Sequence, residues 1–402
     1  MTVPPQASAA PGTGIRWGWL LVAGTLLAAA PAQGQTRPRA REAGVAPGVL
    51  PTGPLNAITD VPGVLVGQTT VIRGDSIRTG VTAVLPHGGN LYRDRVPAAV
   101  FVINGFGKLL GTTQLHELGE LETPILLTCT LCVWQAADAM VAYLLQQPGM
   151  EEVRSINPVV GETNDAYLNA IRERPISSDD VVAALTTARS GPVAEGSVGA
   201  GTGTSTLGWK GGIGTSSRQV RLGDSTWTVG VLVQTNFGGI GGLMLMGVPV
   251  GRLLGRDGMS GAAAPRGPTG SIMIVVATDA PLSDRNLERL ASRAALGLGR
   301  TGATAGNGSG DYVLAFSTNA AVRRPAGAGW LESPELGNDV MSPLFAGVIE
   351  ATEEAIDNAL FAATTVTGNG HTVEALPIEE VLQFLRERNA LATPLPVPPP
   401  RE

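Results

Sequence analysis

Histidine is almost missing from this sequence: His87, His116 and His371 are its only three in 402 residues, far apart and without the i, i+4 spacing of a helical metal pair. A zinc centre has little to draw on, no metal is expected, and a Ser-His-Asp triad is hard to assemble. Charge is scarce too. Asp, Glu, Lys and Arg make up 15% of residues, against about 25% in ordinary soluble domains, so solubility leans on Ser, Thr, Asn and backbone. No basic block points to nucleic acid as a partner, and no segment reaches membrane-spanning length. Cysteine stops at two, Cys129 and Cys132 in "LTCTLCV". That count excludes a disulfide framework. The pair lies in an apolar strand-like run without the flanking Pro of redox motifs, so two small buried residues are the preferred reading, with a redox C-x-x-C as the alternative.

What the chain has in abundance is glycine, 54 residues, clustered between apolar runs as tight turns and close backbone approaches require. Residues 1–34 have the form of an export signal. Arg16 is the lone basic residue, Trp17–Ala30 is an apolar stretch too short to span a bilayer comfortably, and Ala32 and Gly34 are spaced for cleavage. Its removal would take the formal net charge from −6 to −7 and leave an exported, periplasmic or secreted protein. Residues 35–48, charged, Pro-bearing and aperiodic, read as a mobile leader, and 392–402 as a Pro-rich disordered tail.

Between them, strand-like runs such as "AAVFVIN" and "SIMIVVATDA" come in clusters. Helical periodicity appears after Val133, after a cap at Ser178, after Ser283, from Pro343 and near Pro377. This mixed order lacks regular βαβα alternation and predicts helices covering stacked sheets. The Gly-rich stretch Gly196–Arg218 fails the Walker pattern, because Trp209 separates Gly208 from Lys210. It reads as pocket lining.

No G-x-S-x-G elbow is present, so a serine nucleophile would need an activator other than histidine. A free α-amine, with a pKa of about 7.7–8.0, can serve as base for its own residue's hydroxyl, provided the chain is cut just before a Ser or Thr. The seam "TGSIM" suits such a cut: Gly270 puts no Cβ near the scissile carbonyl, and the apolar run from Ile272 would hold a new terminus rigidly. A serine that merely starts a strand is the plainer alternative.

The motifs "VVGETND", "GSVGAGTGTS", "KGGIGTSSR", "VLVQTNFGG", the Gly270–Ser271 seam, "GSGDYVLAFST" and "TGNGHTVEALP" occur in one order from about Leu50 to about Leu391. Together they resemble the self-processing serine aminopeptidases, the L-aminopeptidase/D-esterase and β-peptidyl aminopeptidase family. The resemblance implies an α/β fold of four layers, an αββα sandwich like that of N-terminal-nucleophile hydrolases. It implies a cut between Gly270 and Ser271 into an α chain (49–270) and a β chain (271–391) that stay associated, as a homo-oligomer of αβ units, with no cofactor.

Carried over residue by residue, Ser271 is the nucleophile, Ser309 and Asp311 its proton partners, Asn236 an oxyanion donor, Glu162 the acceptor of the substrate's free ammonium, and Tyr167 a second oxyanion donor. Some β-peptide-cleaving members carry Glu at the position of Asp311, one methylene longer. The expected substrate is a small peptide, amide or ester with a free amino terminus. An acyltransferase with the ornithine acetyltransferase fold and a non-catalytic periplasmic binding protein remain as alternatives.

Overall fold

The computed structural model describes residues 37–255 and 270–392. The expected signal segment, most of the loop before Gly270 and the tail beyond Ala392 lie outside the described residues. One sheet has four strands, in the order β1 (Leu65–Arg73), β2 (Ile77–Leu85), β4 (Ile125–Cys129) and β5 (Val159–Thr163). The larger sheet is built on β3 (Asp94–Gly105), β9 (Gly310–Ser317), β8 (Ser271–Thr278), β7 (Ser225–Asn236) and β6 (Ile213–Leu222), in that spatial order. Two short strands flank β3.

Helices α1 (Val133–Leu145) and α2 (Ser178–Thr186) pack on the smaller sheet, around Val81, Leu126, Met140 and Val181. Helices α3 (Asp284–Arg300) and α4 (Ser342–Ala362) cover the outer face of the larger sheet, and α5 (Ile378–Glu387) joins the same core. A third apolar layer fills the space between the sheets.

The side-chain alternation of β8 shows why an unbroken apolar run fits here. Ile272, Ile274 and Val276 face the helices, while Met273, Val275 and Ala277 face the other sheet. The architecture is the expected αββα sandwich.

Three local expectations need correction. Residues 37–48 are docked against the body rather than free. Arg37 donates to the Phe361 carbonyl (2.8 Å), the Ala40 N–H to Asn358 Oδ1 (3.0 Å) and Arg41 to Glu354 (2.8 Å), while Ala40 and Val45 are buried. The charges that suggest mobility are matched by a polar face of α4 that is itself buried: Glu350, Glu354, Asp357 and Asn358. Arg218 completes this network from β6, reaching Glu350 Oε2 at 3.0 Å and Glu354 Oε2 at 2.6 Å.

The cap of α2 is Ser177, one residue earlier than expected. Its hydroxyl accepts from the Asp180 N–H, and Asp180 returns a bond to the Ser177 N–H. The Gly-rich stretch Gly196–Arg218 is packing rather than pocket wall. Its C-terminal part is β6, where a Cβ on Gly214 would come within 1.9 Å of the Ala355 carbonyl on α4. No helix among the described residues is long and apolar enough to cross a membrane.

Candidate active site

The ends of three adjacent strands meet at one point. In register, Ser271 opposes Asn236 of β7 on one side and Gly310 of β9 on the other, and Ile272 opposes Asp311. Ser271 is buried. The Gly310 N–H lies between two oxygens: 3.2 Å from Ser271 Oγ and 3.3 Å from the carbonyl of Gly270. The nucleophile candidate and the carbonyl it would attack therefore share one donor.

Only glycine fits beside this bond. A Cβ at Gly270 would lie 2.5 Å from both the Asn236 carbonyl oxygen and Phe237 Cα, and one at Gly310 would lie 2.4 Å from Gly107 Cα and 3.2 Å from Ser271 Oγ. Gly310 belongs with Gly107 to the site, and sequence reasoning passes over both because their contact joins segments about 200 residues apart.

The Asn236 amide is fixed in orientation. Its Oδ1 accepts from the Ser205 N–H at 3.0 Å, and its Nδ2 donates to the Asn164 carbonyl at 2.8 Å. One Nδ2 hydrogen is thus committed to Asn164, and the other is available to a developing oxyanion.

Ser309 and Asp311 are joined by a 2.6 Å bond from the Ser309 hydroxyl to Asp311 Oδ1, which also accepts from the Ile272 N–H at 3.2 Å. Oδ2 of Asp311 has no partner among the described residues. Burial pushes the Asp311 carboxyl up, while the Ser309 hydroxyl and the Ile272 N–H oppose that rise. The register against β3 shifts here: Asp311 opposes Asn104 and Tyr312 opposes Val102, which leaves Ile103 as an extra residue on β3. Phe237, Gly238, Gly270, Ser309 and Asp311 line a small cavity on this side.

Glu162 sits near the end of β5 in the facing sheet, close to Gly107: a Cβ there would lie 3.3 Å from Glu162 Oε1. Its carboxylate is buried and accepts from the Lys108 N–H (2.9 Å) and the Thr130 hydroxyl. Burial raises its pKa, and these two donors and the Lys108 charge work against the rise.

Tyr312 stands nearby with its hydroxyl donating to the Gly107 carbonyl at 2.9 Å. Burial, Glu162 and Asp311 raise its pKa in that order. Sequence reasoning does not reach Tyr312, which reads there as one more apolar strand residue. Tyr167, by contrast, stacks on His371 with ring centroids 4.2 Å apart. Its ring thus packs on the Val366–Val373 hairpin.

Cys129 and Cys132 are buried, as expected, and are also bonded to each other. No group of three or more His, Cys, Asp or Glu side chains suited to a metal ion occurs among the described residues.

A four-layer sandwich with a buried serine opening a central strand, a fixed amide beside it and a hydroxyl–carboxyl pair behind it is the arrangement of a serine aminopeptidase with an N-terminal-nucleophile-like fold. Residues 56–373 match peptidase family S58, and the chain belongs to that family. It is 42% identical over 394 residues to the beta-peptidyl aminopeptidase BapA of Sphingosinicella microcystinivorans, covering 92% of this chain and 97% of that protein.

Among solved structures it is similar to the L-aminopeptidase D-Ala-esterase/amidase of Ochrobactrum anthropi, described as a prototype of the serine aminopeptidases with a variant Ntn-hydrolase fold. The TM-score is 0.82 at 37% identity, over 89% of this chain and 100% of that one. A Burkholderia sp. beta-aminopeptidase gives a TM-score of 0.80 at 40% identity, over 87% and 99%. The chain is accordingly an aminopeptidase of this family, which overturns the binding-protein alternative.

Proposed function

We propose that the chain cuts itself between Gly270 and Ser271 and that the new terminus then removes amino-terminal residues from small peptides, amides or esters. The observation that carries this reading is the single Gly310 N–H shared by Ser271 Oγ and the Gly270 carbonyl. In the first step Ser271 Oγ adds to the Gly270 carbonyl carbon, with Gly310 N–H donating to the oxygen as charge develops. The C–N bond breaks, the Ser271 nitrogen takes a proton, and Gly270 is left as an ester on Oγ. Water hydrolyses the ester, freeing the Gly270 carboxylate and the Ser271 hydroxyl.

In turnover the α-amine of Ser271 takes the hydroxyl proton as Oγ attacks the substrate's acyl carbon. Asn236 Nδ2 stabilises the oxyanion, an interaction worth roughly 3–4 kcal/mol in comparable hydrolases. The leaving amine or alcohol takes the proton, and water releases the acyl group. Asp311, hydrogen-bonded at Ile272 beside the Ser271 nitrogen and with Oδ2 unpartnered among the described residues, supports a role in orienting that amine, with Ser309 holding Asp311. Glu162 takes the substrate's ammonium. The similar proteins named for beta-peptidyl substrates favour β-aminoacyl groups among those removed.

Export of the protein, by way of residues 1–34, fits a disulfide at Cys129–Cys132. Assembly of associated αβ units completes the reading, without nucleic acid or membrane partners after signal removal. Turnover of L-, D- and β-aminoacyl p-nitroanilides tests the activity. Release from at least one class is expected and should vanish in Ser271→Ala, while turnover that survives this substitution would exclude Ser271 as nucleophile.

A further inference from the structure

Glu162 raises a physical problem. It must be ionised to hold an ammonium ion, yet it lies in a buried site where desolvation favours the neutral acid. Among the described residues, two groups donate to it. One is the backbone N–H of Lys108, which every residue type but proline supplies. The other is the Thr130 hydroxyl, on Oε2, which is a choice of side chain.

Thr130 is itself buried and opens a 3-10 turn, Thr130–Cys132, between the end of β4 and the start of α1. The turn begins immediately after Cys129, whose sulfur is bonded to Cys132 at the turn's far end. Thr128 opposes Glu162 and Cys129 opposes Thr163 in the parallel pairing of β4 with β5, so the turn lies just beyond the carboxylate it serves. The same corner is tied to the catalytic sheet by Gln234, whose Nε2 donates to the Thr128 carbonyl (3.1 Å) and the Ala200 carbonyl (3.0 Å) two residues before Asn236.

We propose that Thr130 is a positioning residue that holds Glu162 in the charged, substrate-binding state, and that the Cys129–Cys132 bond fixes the turn presenting it. The proposal rests on the reading of Glu162 as acceptor of the substrate's ammonium. Thr130 acts through Glu162 and not on the acyl group, so its removal moves substrate binding and the pH at which binding fails, and leaves the chemical step largely intact.

Among the described residues, the charged and titratable groups around Glu162 are Lys108 from the segment after β3, Tyr312 from β9 and Asp165 from the loop after β5. All three remain in the variants that test the idea. Thr130→Val keeps the shape and deletes the hydroxyl, and Thr130→Ser restores it.

With an aminoacyl p-nitroanilide that the wild type hydrolyses, Thr130→Val should raise KM by about tenfold, the worth of a hydrogen bond to a charged group. kcat should change less than twofold. The acid limb of kcat/KM should move to higher pH, and Thr130→Ser should recover most of both effects. The double variant Cys129→Ala/Cys132→Ala should raise KM in the same direction by a smaller factor.

Completion of self-cleavage, read by mass, shows that each variant has folded. Glu162→Gln is the control for the underlying reading. If it raises KM strongly while Thr130→Val leaves both KM and the pH profile unchanged, the role of Thr130 is overturned and the reading of Glu162 stands. If Glu162→Gln itself leaves KM unchanged, the reading of Glu162 falls and takes the role of Thr130 with it. An unchanged KM in the cysteine double variant removes the disulfide from the account.

Discussion

The Asp311 carboxyl illustrates how much of this chemistry is decided atom by atom. Burial is the largest influence on it and raises its pKa, and the Ser309 hydroxyl and Ile272 N–H only partly offset that. A carboxylate with a raised pKa takes up its proton at higher pH than an ordinary aspartate, near 3.9. The ionised form that can hold the Ser271 amine is therefore present above the raised value and lost as pH falls through it. We predict an acid limb in the kcat profile above the ordinary aspartate range, which reports on the enzyme–substrate complex. Asp311→Asn should lower kcat by about a hundredfold or more and remove the part of that limb due to Asp311, leaving the fall that comes from protonation of the Ser271 amine. A kcat and acid limb that are the same in Asp311→Asn as in the wild type would contradict the placement of Asp311. The site at this scale is read from motifs in the case of Ser271, Asn236, Ser309, Asp311 and Glu162. Gly107, Thr130 and Tyr312 carry no such sign, since what matters about each is a contact across sheets or between distant segments.

Among elements, the period of the apolar residues is enough to find α1, α3 and α4 and the central strand β8, because each buries a regular face. The same signal fails for residues 37–48, whose charges find partners some three hundred residues away on α4. It fails again at Gly196–Arg218, where glycine marks backbone packed against backbone. Arg218 is the centre of the buried network that joins β6, α4 and the segment before β1: besides its two glutamates it donates to the Pro47 carbonyl at 2.9 Å. Arg218→Met would leave the Glu350 and Glu354 carboxylates short of a cation inside the fold, a change that costs about 3–5 kcal/mol. The thermal midpoint at pH 7 should drop by roughly 5 °C or more. The difference from wild type should narrow in acid as Glu354, whose burial is outweighed by Arg41 and Arg218 so that its pKa lies below the usual carboxylate range, takes up a proton and no longer needs the guanidinium. An unchanged midpoint at pH 7 would show that the network holds nothing in place.

For the molecule as a whole, the proposed cut falls within a sheet and not between domains. All of β8 pairs with β7, which would belong to the other chain, and β9 pairs with β3 of that chain as well. Helices α3 and α4, which follow the cut, share one apolar core with β6 and β7, which precede it. Two chains woven together in this way would have no route to separate short of unfolding, so the proposed cleavage would change one terminus and leave the sandwich intact. What it would change is the Ser271 nitrogen, from an amide that cannot act as a base to an amine that can. The sequence, with its few histidines, leaves this the simplest source of a base, and the structure sets the Gly270 carbonyl and the Ser271 hydroxyl on the same N–H. The most direct test is intact mass with N-terminal sequencing of the purified protein. The account predicts two fragments under denaturing conditions, the smaller starting at Ser271, and a single uncut chain for Ser271→Ala. An active wild-type protein that remains one unbroken chain, or whose second fragment starts at any other residue, would contradict it.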